Sequence, residues 1–337
     1  MLERWYRLKL WYTLTLFLGF ILTFSLYTTL LTDTYILLQI EPLYKLNPNN
    51  FTYIYPTETL TLNDYTKLID LNNFHFTIFN KVCDNETDTL LLILVHSSPR
   101  NFDKRRVIRD TWGQERKEIK LLFVLGSINN STLQRKIQTE NDINNDLLQG
   151  NFMDSYRNLT YKHVMVLKYP IYHCPEVKYV LKTDDDVFVN INATILFIKS
   201  EFSPPIGVSN LLLCKVIKNA KVFRSFRSKW RVSVKEYSRK RYPTYCTGFA
   251  ILYSNDVLFQ LYKNAQEMEY FWIDDVHITG DAVLGTNISH TDVSPLIFGS
   301  KHITRFNFNH FLYGKPQSNI DDILKLWRLI QKHSNET

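Results

Sequence analysis

Three carboxylates stand in a row at Asp184, Asp185 and Asp186, inside the stretch KYVLKTDDDVFVN from Lys178 to Asn190. Apolar residues on both sides want burial, so like charges are being carried to the end of a buried segment. Two such charges a few ångströms apart repel by about 1 kcal/mol in water and several times more at a protein's effective dielectric. Something positive must balance them. On an extended chain side chains alternate, which puts Asp184 and Asp186 on one side and Asp185 on the other. Carboxylates without a neighbouring Cys or His suit a hard cation of the Mg or Mn kind, which keeps positions open for water or phosphate. The plain alternative is a solvated acidic turn at a strand end. A second acidic pair, Asp274 and Asp275, follows in IDDVHITG. A carboxylate aimed at a hydroxyl is a general base.

The surrounding segments alternate in a way that positions such acids. The run LLLILV from Leu90 to Val95 reads as a buried strand, Lys104 to Trp112 as a helix, and Leu121 to Leu125 as another strand closed by Gly126. Helical residues are expected from Leu133 to Leu148 and from Asn158 to Tyr169, with a strand at Tyr179 to Lys182 leading into the aspartates. Apolar strands alternating with amphipathic helices predict an α/β layered sheet. Ligands of open α/β sheets bind beyond the carboxyl ends of the strands, where the aspartates stand.

The rest of the chain bounds where this chemistry takes place. Its 337 residues are 45% hydrophobic, ample for a buried core. From Leu10 to Thr32 there is no charge, and the run is long enough for a transmembrane helix. A cleavable signal peptide is the alternative, but its apolar core is shorter and ends in small residues. Arg4, Arg7 and Lys9 precede the run and Asp33 follows it, so residues 1–9 are expected in the cytoplasm and the remainder in the secretory lumen. Asn-x-Ser/Thr triplets at Asn50, Asn85, Asn129, Asn130, Asn158, Asn192, Asn287 and Asn335 are compatible with that side. So are Cys83, Cys174, Cys214 and Cys246, which allow three disulfide pairings that spacing does not separate. No CxxC or His-rich cluster offers a zinc site. Residues 33–82 show no sustained period and read as a stem, which leaves 83–337 as the catalytic domain.

The formal charge of +7 concentrates between Lys215 and Arg241, where eleven Lys or Arg residues meet the single acid Glu236. A solvated basic face is the plain reading, and the lumenal address argues against nucleic acid. Attraction remains for a nucleotide-linked donor, an acidic glycan or a membrane surface.

Seven blocks in order, RRVIRDTWG, FVLG, DSYRNLTYK, KTDDDVFVN, KW at 229–230, RYPTYCTGFAILYS and DDVHITG, resemble the β1,3-galactosyltransferase and β1,3-N-acetylglucosaminyltransferase family over residues 83–330. The resemblance implies a type II Golgi enzyme with a GT-A fold, a Rossmann-related mixed sheet flanked by helices. It further implies a UDP-galactose or UDP-N-acetylglucosamine donor, a Mn ion on the DxD motif, a glycan acceptor on protein or lipid, and inversion at the anomeric carbon. Asp184 and Asp186 become the metal pair, with Asp186 the direct ligand, and Asp185 faces the donor's ribose or sugar hydroxyls. Asp275 aligns with the catalytic base; Asp274 stands in place of a more usual Glu and is a candidate N-cap for a helix starting at Val276. Arg109 and Lys162 are candidates for reaching the nucleotide, Trp230 for stacking on a sugar, and Gly248 for close backbone approach, with Ala250 where the family often has a second glycine. Thr111 and Trp112 read equally well as core. A second metal ligand, a histidine, is assigned to His310, with His302 and His290 as alternatives. Two other readings compete: a membrane-anchored glycan-binding module without catalysis, and a basic-patch interaction protein. The acids at 184–186 and 275 that these would not need are all present.

Overall fold

The computed structural model describes residues 19, 23–24, 53–83, 89–202, 209–298, 311–314 and 318–334. The chain divides into two units, Met1–Lys45 and Leu46–Thr337. In the first, Gly19, Thr23 and Phe24 are helical. Among the described residues no helix is long and apolar enough to cross a membrane, and most of the expected 10–32 span lies outside them.

The second unit is a mixed α/β sheet flanked by helices. Its strands are β1 (Phe76–Ile78), β2 (Leu91–His96), β3 (Ile119–Ser127), β4 (Leu147–Met153), β5 (Tyr179–Asp184), β6 (Leu212–Ile217), β7 (Tyr245–Ser254) and β8 (His290–Asp292), in the order β1-β4-β3-β2-β5-β7-β6-β8. β2, β3, β4 and β5 run parallel through the pairs β2/β3, β3/β4 and β2/β5, linked by α1 (Phe102–Asp110), α2 (Ser131–Asn144) and α3 (Leu159–His173). β7 runs antiparallel to both β5 and β6. The chain therefore winds outward from β2 through β3 to β4, then crosses back to lay β5 on the other side of β2. That reversal opens a crevice at the carboxyl ends of β2 and β5, where His96 pairs with Asp184.

Alternation along β2 divides the core. Leu91, Ile93 and Val95 pack on one face with Val107 and Ile108 of α1, with α4 (Ile191–Glu201) and with Ile323 and Leu326 of α7 (Ile320–Ser334). Leu92 and Leu94 pack on the other with α3 and with Val257 and Leu261 of α5 (Asn255–Glu267). Both faces are covered, so β2 is apolar up to its last residue and β5 is apolar over its first three, Tyr179 to Leu181.

Two expectations need correcting. The helix expected through Leu148 ends at Asn144: Asn145 turns left-handed (φ 53°) with its N–H on Asn141 O, and Leu147 and Leu148 enter β4 beside β3. The folded unit, expected to start at residue 83, also begins well before it. Tyr55, Leu68, Ile69, Phe74 and Ile78 are buried, β1 extends the sheet, and Cys83 is bonded to Cys174 just beyond α3. No period announced this segment because separate side chains anchor it. The second disulfide, Cys214–Cys246, joins β6 to β7.

One anchor is a buried charge. Asp64 accepts hydrogen bonds from Tyr172 (2.6 Å), Tyr262 (2.5 Å) and Gln266 (2.8 Å), and its Oδ2 lies 3.3 Å from Lys168. Burial alone would raise its carboxyl, but these hydroxyls and the ammonium outweigh burial and hold it below the usual range. Asp64→Asn should lower unfolding stability by about 3–5 kcal/mol near neutral pH, because Lys168 is left buried without its partner. With a folded pKa depressed, Asp64 stabilises above the unfolded value of about 4 and stops doing so as pH falls through the folded one. Denaturant curves of wild type and variant should therefore converge in acid; a gap independent of pH would refute the charged pairing.

Candidate active site

Asp185 stands just beyond the carboxyl end of β5, with its N–H on His96 O at the end of β2. Its carboxylate does not face outward to a ribose, as the resemblance implied, but is buried and accepts from Ser97 Oγ (2.7 Å), Asn101 Nδ2 (2.7 Å) and Lys104 Nζ (3.0 Å). Ser97 follows β2 and Asn101 precedes α1, so Asp185 ties the turn after β5 to the start of the first crossover helix.

Asp184 points to the opposite face, as alternation requires. Its Oδ1 accepts from Lys182 Nζ at 2.8 Å, and the same ammonium donates to Gly248 O on β7. Lys182 lies in the strand interior with a side chain 2% exposed. Burial works against its charge, yet Asp184, Asp274 and Asp275 outweigh burial and hold it above the ordinary lysine value. Asp184 itself is pushed up to about 6: burial raises it most, Lys182 opposes, and the charges of Asp186 and Asp274 add to the rise.

The other acids arrive on the short helix α6 (Asp274–Thr279). Asp274 is not the side-chain cap that the sequence suggested. Ile273 occupies the N-cap position without a side-chain bond, and Asp274 Oδ2 instead accepts from His163 Nδ1 of α3 at 2.9 Å. His163 Nε2 meets Tyr253 OH at 2.8 Å. Burial holds His163 below its usual value and Tyr253 well above its own, so a neutral imidazole donates to Asp274 and accepts from the phenol. Burial would raise Asp274, but the His163 bond and Lys182 outweigh it and leave it ionised.

Asp275 has no such donor. Its Oδ1 accepts the N–H of the next residue, Val276, at 2.9 Å, and the Gly248 backbone N–H also bonds its carboxyl, but burial followed by the Asp274 charge outweighs both and pushes it up to about 7. Gly248 lies against it: a Cβ there would lie 3.5 Å from Asp275 Cβ and 3.4 Å from Lys182 Nζ, ordinary contact distances that an alanine would meet without a clash. Asp184, Lys182, Gly248, Asp274 and Asp275 thus form one cluster.

Other candidates are placed differently. Arg109 does not reach this cluster; it pairs with Glu140 (2.8 Å) and Asp146 (2.7 Å) and lies over the Phe123 ring, binding α1 to α2 and β4. Lys162 is a buried strut, 2.7 Å from Asp154 and from Ser97 O. Trp230 stands at the margin, 40% exposed, with Nε1 donating to Tyr156 OH at 2.7 Å, and Tyr156 feels the charges of Asp274, Asp275 and Asp184. His290 Nε2 is spent on Thr279 O at 2.6 Å, and His302 and His310 lie outside the described residues. Lys182 and His163 were not singled out from sequence. For Lys182 a signal existed, since its position two residues before Asp184 places it on the same face; His163 carried none.

The residues fit a hard divalent cation. Asp184 and Asp186 offer oxygen donors, and the rise in Asp184 comes in part from like charges that a cation would relieve. Among the described residues no three His, Cys, Asp or Glu side chains converge on one metal position.

The galactosyltransferase family model matches residues 103–294, a stretch that carries β3 through β8 and every acid of the cluster. The chain belongs to the galactosyltransferase family. Among curated relatives, beta-1,3-galactosyltransferase 5 of Pan troglodytes is 34% identical over 198 residues, 57% of this chain and 65% of that protein. The lactosylceramide 1,3-N-acetyl-beta-D-glucosaminyltransferase of Homo sapiens is 35% identical over 214 residues, 60% of this chain and 56% of its own length. The matched stretch thus spans less than two thirds of either relative. Among solved structures, the bifunctional glycosyltransferase WbbM aligns with 75% of this chain and 53% of its own at 10% identity and a TM-score of 0.40, too loose to carry an argument.

Lys182→Met tests the electrostatics directly. Removing the ammonium leaves Asp184, Asp274 and Asp275 without their common partner and should cost about 3–5 kcal/mol of unfolding stability near pH 7.5 in chelator. Because the acids would then titrate at higher pH still, the deficit should shrink as the solution is taken to about pH 5 and they protonate in the folded state. A deficit unchanged across that range would mean that Lys182 contributes by packing alone.

Proposed function

We propose that the protein is an inverting, metal-dependent hexosyltransferase of GT-A type. It moves galactose or N-acetylglucosamine from a UDP-sugar to a hydroxyl of a glycan on protein or lipid, forming a β1,3 linkage. The observation that carries this reading is the unequal pair on α6, packed against Gly248 of β7, in which Asp274 is held ionised by His163 while Asp275 beside it is raised to about 7. A carboxylate in that range holds a proton weakly enough to give it up near neutrality and strongly enough to take one from an attacking hydroxyl.

The chain's own groups divide the work. Asp275 receives the acceptor hydroxyl's proton as that oxygen attacks the anomeric carbon and the bond from that carbon to the diphosphate breaks. Lys182 keeps the acids together without neutralising Asp275, whose carboxyl is not its hydrogen-bond acceptor. A cation held by Asp184 and Asp186 would neutralise the charge that develops on the departing nucleoside diphosphate. The names of the relatives, which carry both galactose and N-acetylglucosamine in 1,3 linkage, support the donor class and the linkage.

The same reading places the enzyme in the Golgi membrane with its catalytic unit in the lumen. The uncharged run at 10–32 preceded by Arg4, Arg7 and Lys9 supports that orientation, as do two disulfides that persist in an oxidising compartment.

With full-length protein in non-ionic detergent, UDP release from UDP-galactose or UDP-N-acetylglucosamine in the presence of a glycan acceptor should require Mn or Mg and stop on chelation. Asp275→Asn should lower kcat/KM by about 10²–10⁴. Asp186→Ala should remove the metal stimulation. The wild-type rate should rise with pH through about 7, or somewhat lower with a cation bound nearby, since Asp275 acts deprotonated, and this acid limb should vanish in Asp275→Asn. Full turnover in both variants would refute the site. Separately, the catalytic unit should survive protease added to intact microsomes; its digestion without detergent would overturn the orientation.

A further inference from the structure

The basic segment that runs from β6 to β7 has no part in the chemistry above. Between β6 and β7, eleven Lys or Arg residues from Lys215 to Arg241 meet one acid, Glu236, which is itself bound to Arg157 at 2.7 Å. This segment is a built platform. The Arg224 guanidinium donates to the carbonyls of Val232 (2.9 Å), Ser233 (2.7 Å), Tyr237 (2.7 Å) and Arg239 (2.8 Å), pulling the segment around itself. Val222 and Val232 are buried in one cluster with Tyr242, Phe271 and Val276. Val276 follows Asp275 on α6, so the platform and the candidate base share a core.

Its outer face combines rings with cations. Phe226 is 85% exposed with Arg231 over its ring at 3.7 Å, and Lys229 lies over Trp230 at 4.5 Å. Arg227, Lys229 and Lys235 are exposed and enter no ion pair with a carboxylate among the described residues. Through Trp230 and Tyr156 this face joins the margin of the acidic cluster.

We propose that the platform is an acceptor subsite for an anionic saccharide, a sugar chain bearing sulfate, carboxylate or phosphate. The inference rests on the transferase reading of the acidic cluster and names the acceptor class of that same site. Exposed rings offer stacking faces to pyranose C–H groups, and the cations beside them bind anionic substituents by charge-assisted hydrogen bonds. Trp230 on this face is bonded to Tyr156, which feels the charges of Asp274, Asp275 and Asp184, so a ligand seated there would offer a hydroxyl towards the acids while its negative groups stay on the basic side. An anionic bilayer would also meet rings and cations. The core shared with α6 and the Trp230–Tyr156 bond favour a ligand that must reach the acids.

The test uses full-length enzyme, a UDP-sugar donor, and a sulfated oligosaccharide beside its chemically desulfated counterpart. At low ionic strength kcat/KM should favour the sulfated acceptor by about tenfold or more, through KM, and added salt should erode the preference. In the combined variant Arg227→Ser, Lys229→Ser, Lys235→Ser the preference should fall to about twofold while the melting temperature holds. Equal use of both acceptors, a preference that survives in the variant, or binding only to phosphatidylserine vesicles would overturn the proposal. If no UDP-sugar is turned over with any acceptor, the transferase reading fails on its own; calorimetry with the two oligosaccharides then decides the subsite, kept by a tenfold difference in affinity and lost without one.

Discussion

A single ammonium lets acids from two distant parts of the chain share one end of the sheet. Lys182 reaches Asp184 in its own strand and the Gly248 carbonyl in the neighbouring one, and its charge acts on Asp274 and Asp275 of α6. Without it these carboxylates would repel one another in a partly dry setting, where each unit charge pair costs several times what it would in water. The topology creates the need. Winding outward to β4 and returning beside β2 brings the end of β5 to the crevice, and the antiparallel β7 brings Gly248 and then α6 to the same place. A ligand crevice built this way collects carboxylates only if something buried and positive holds them.

Two pairs of adjacent aspartates show how position, not residue type, sets what an acid does. Asp185 and Asp184 are neighbours, but one is wrapped by Ser97, Asn101 and Lys104 while the other keeps a side chain 36% exposed. Asp274 and Asp275 are neighbours too, and His163 goes to only one of them. The donor given to Asp274 is what leaves Asp275 as the group that titrates near neutrality, since the ionised neighbour adds its repulsion to burial. His163 thereby tunes a carboxylate it does not touch, through the one it does.

Much of this was legible beforehand because it follows from period and alternation. The apolar runs at β2, β3 and β5 announced a sheet buried on both faces, the three acids announced its ligand end, and strand parity put Asp184 and Asp185 on opposite sides. What stayed hidden depends on partners far away in sequence. Asp185 could be assigned to a ribose only while Lys104 and Asn101 were unplaced, and Arg109 to a nucleotide only while Glu140 and Asp146 were. Leu147 and Leu148 looked helical because their apolar character continues α2; the left-handed Asn145 that separates them has no periodic signature. The segment 53–83 was read as a stem for a similar reason, since anchors such as Asp64 and Ile69 act singly.

The separation of charge across the molecule follows from the same constraint. A site with three acids around one lysine carries a local negative excess, which favours a cation over a free anionic ligand arriving alone. An acceptor bearing its own negative groups would be repelled unless those groups were held elsewhere. The β6–β7 segment supplies that elsewhere at the shortest distance the fold allows: it leaves β6, builds a basic face over a small core, and returns through Tyr242 and β7 to Gly248 and the acids. Placing both signs on one chain segment's ends lets a ligand be gripped by its charge at one side and presented by its hydroxyl at the other. Val276 of the helix that carries Asp275 is buried in the same small core as Val222 and Val232, so the basic face and the acids are built on shared packing.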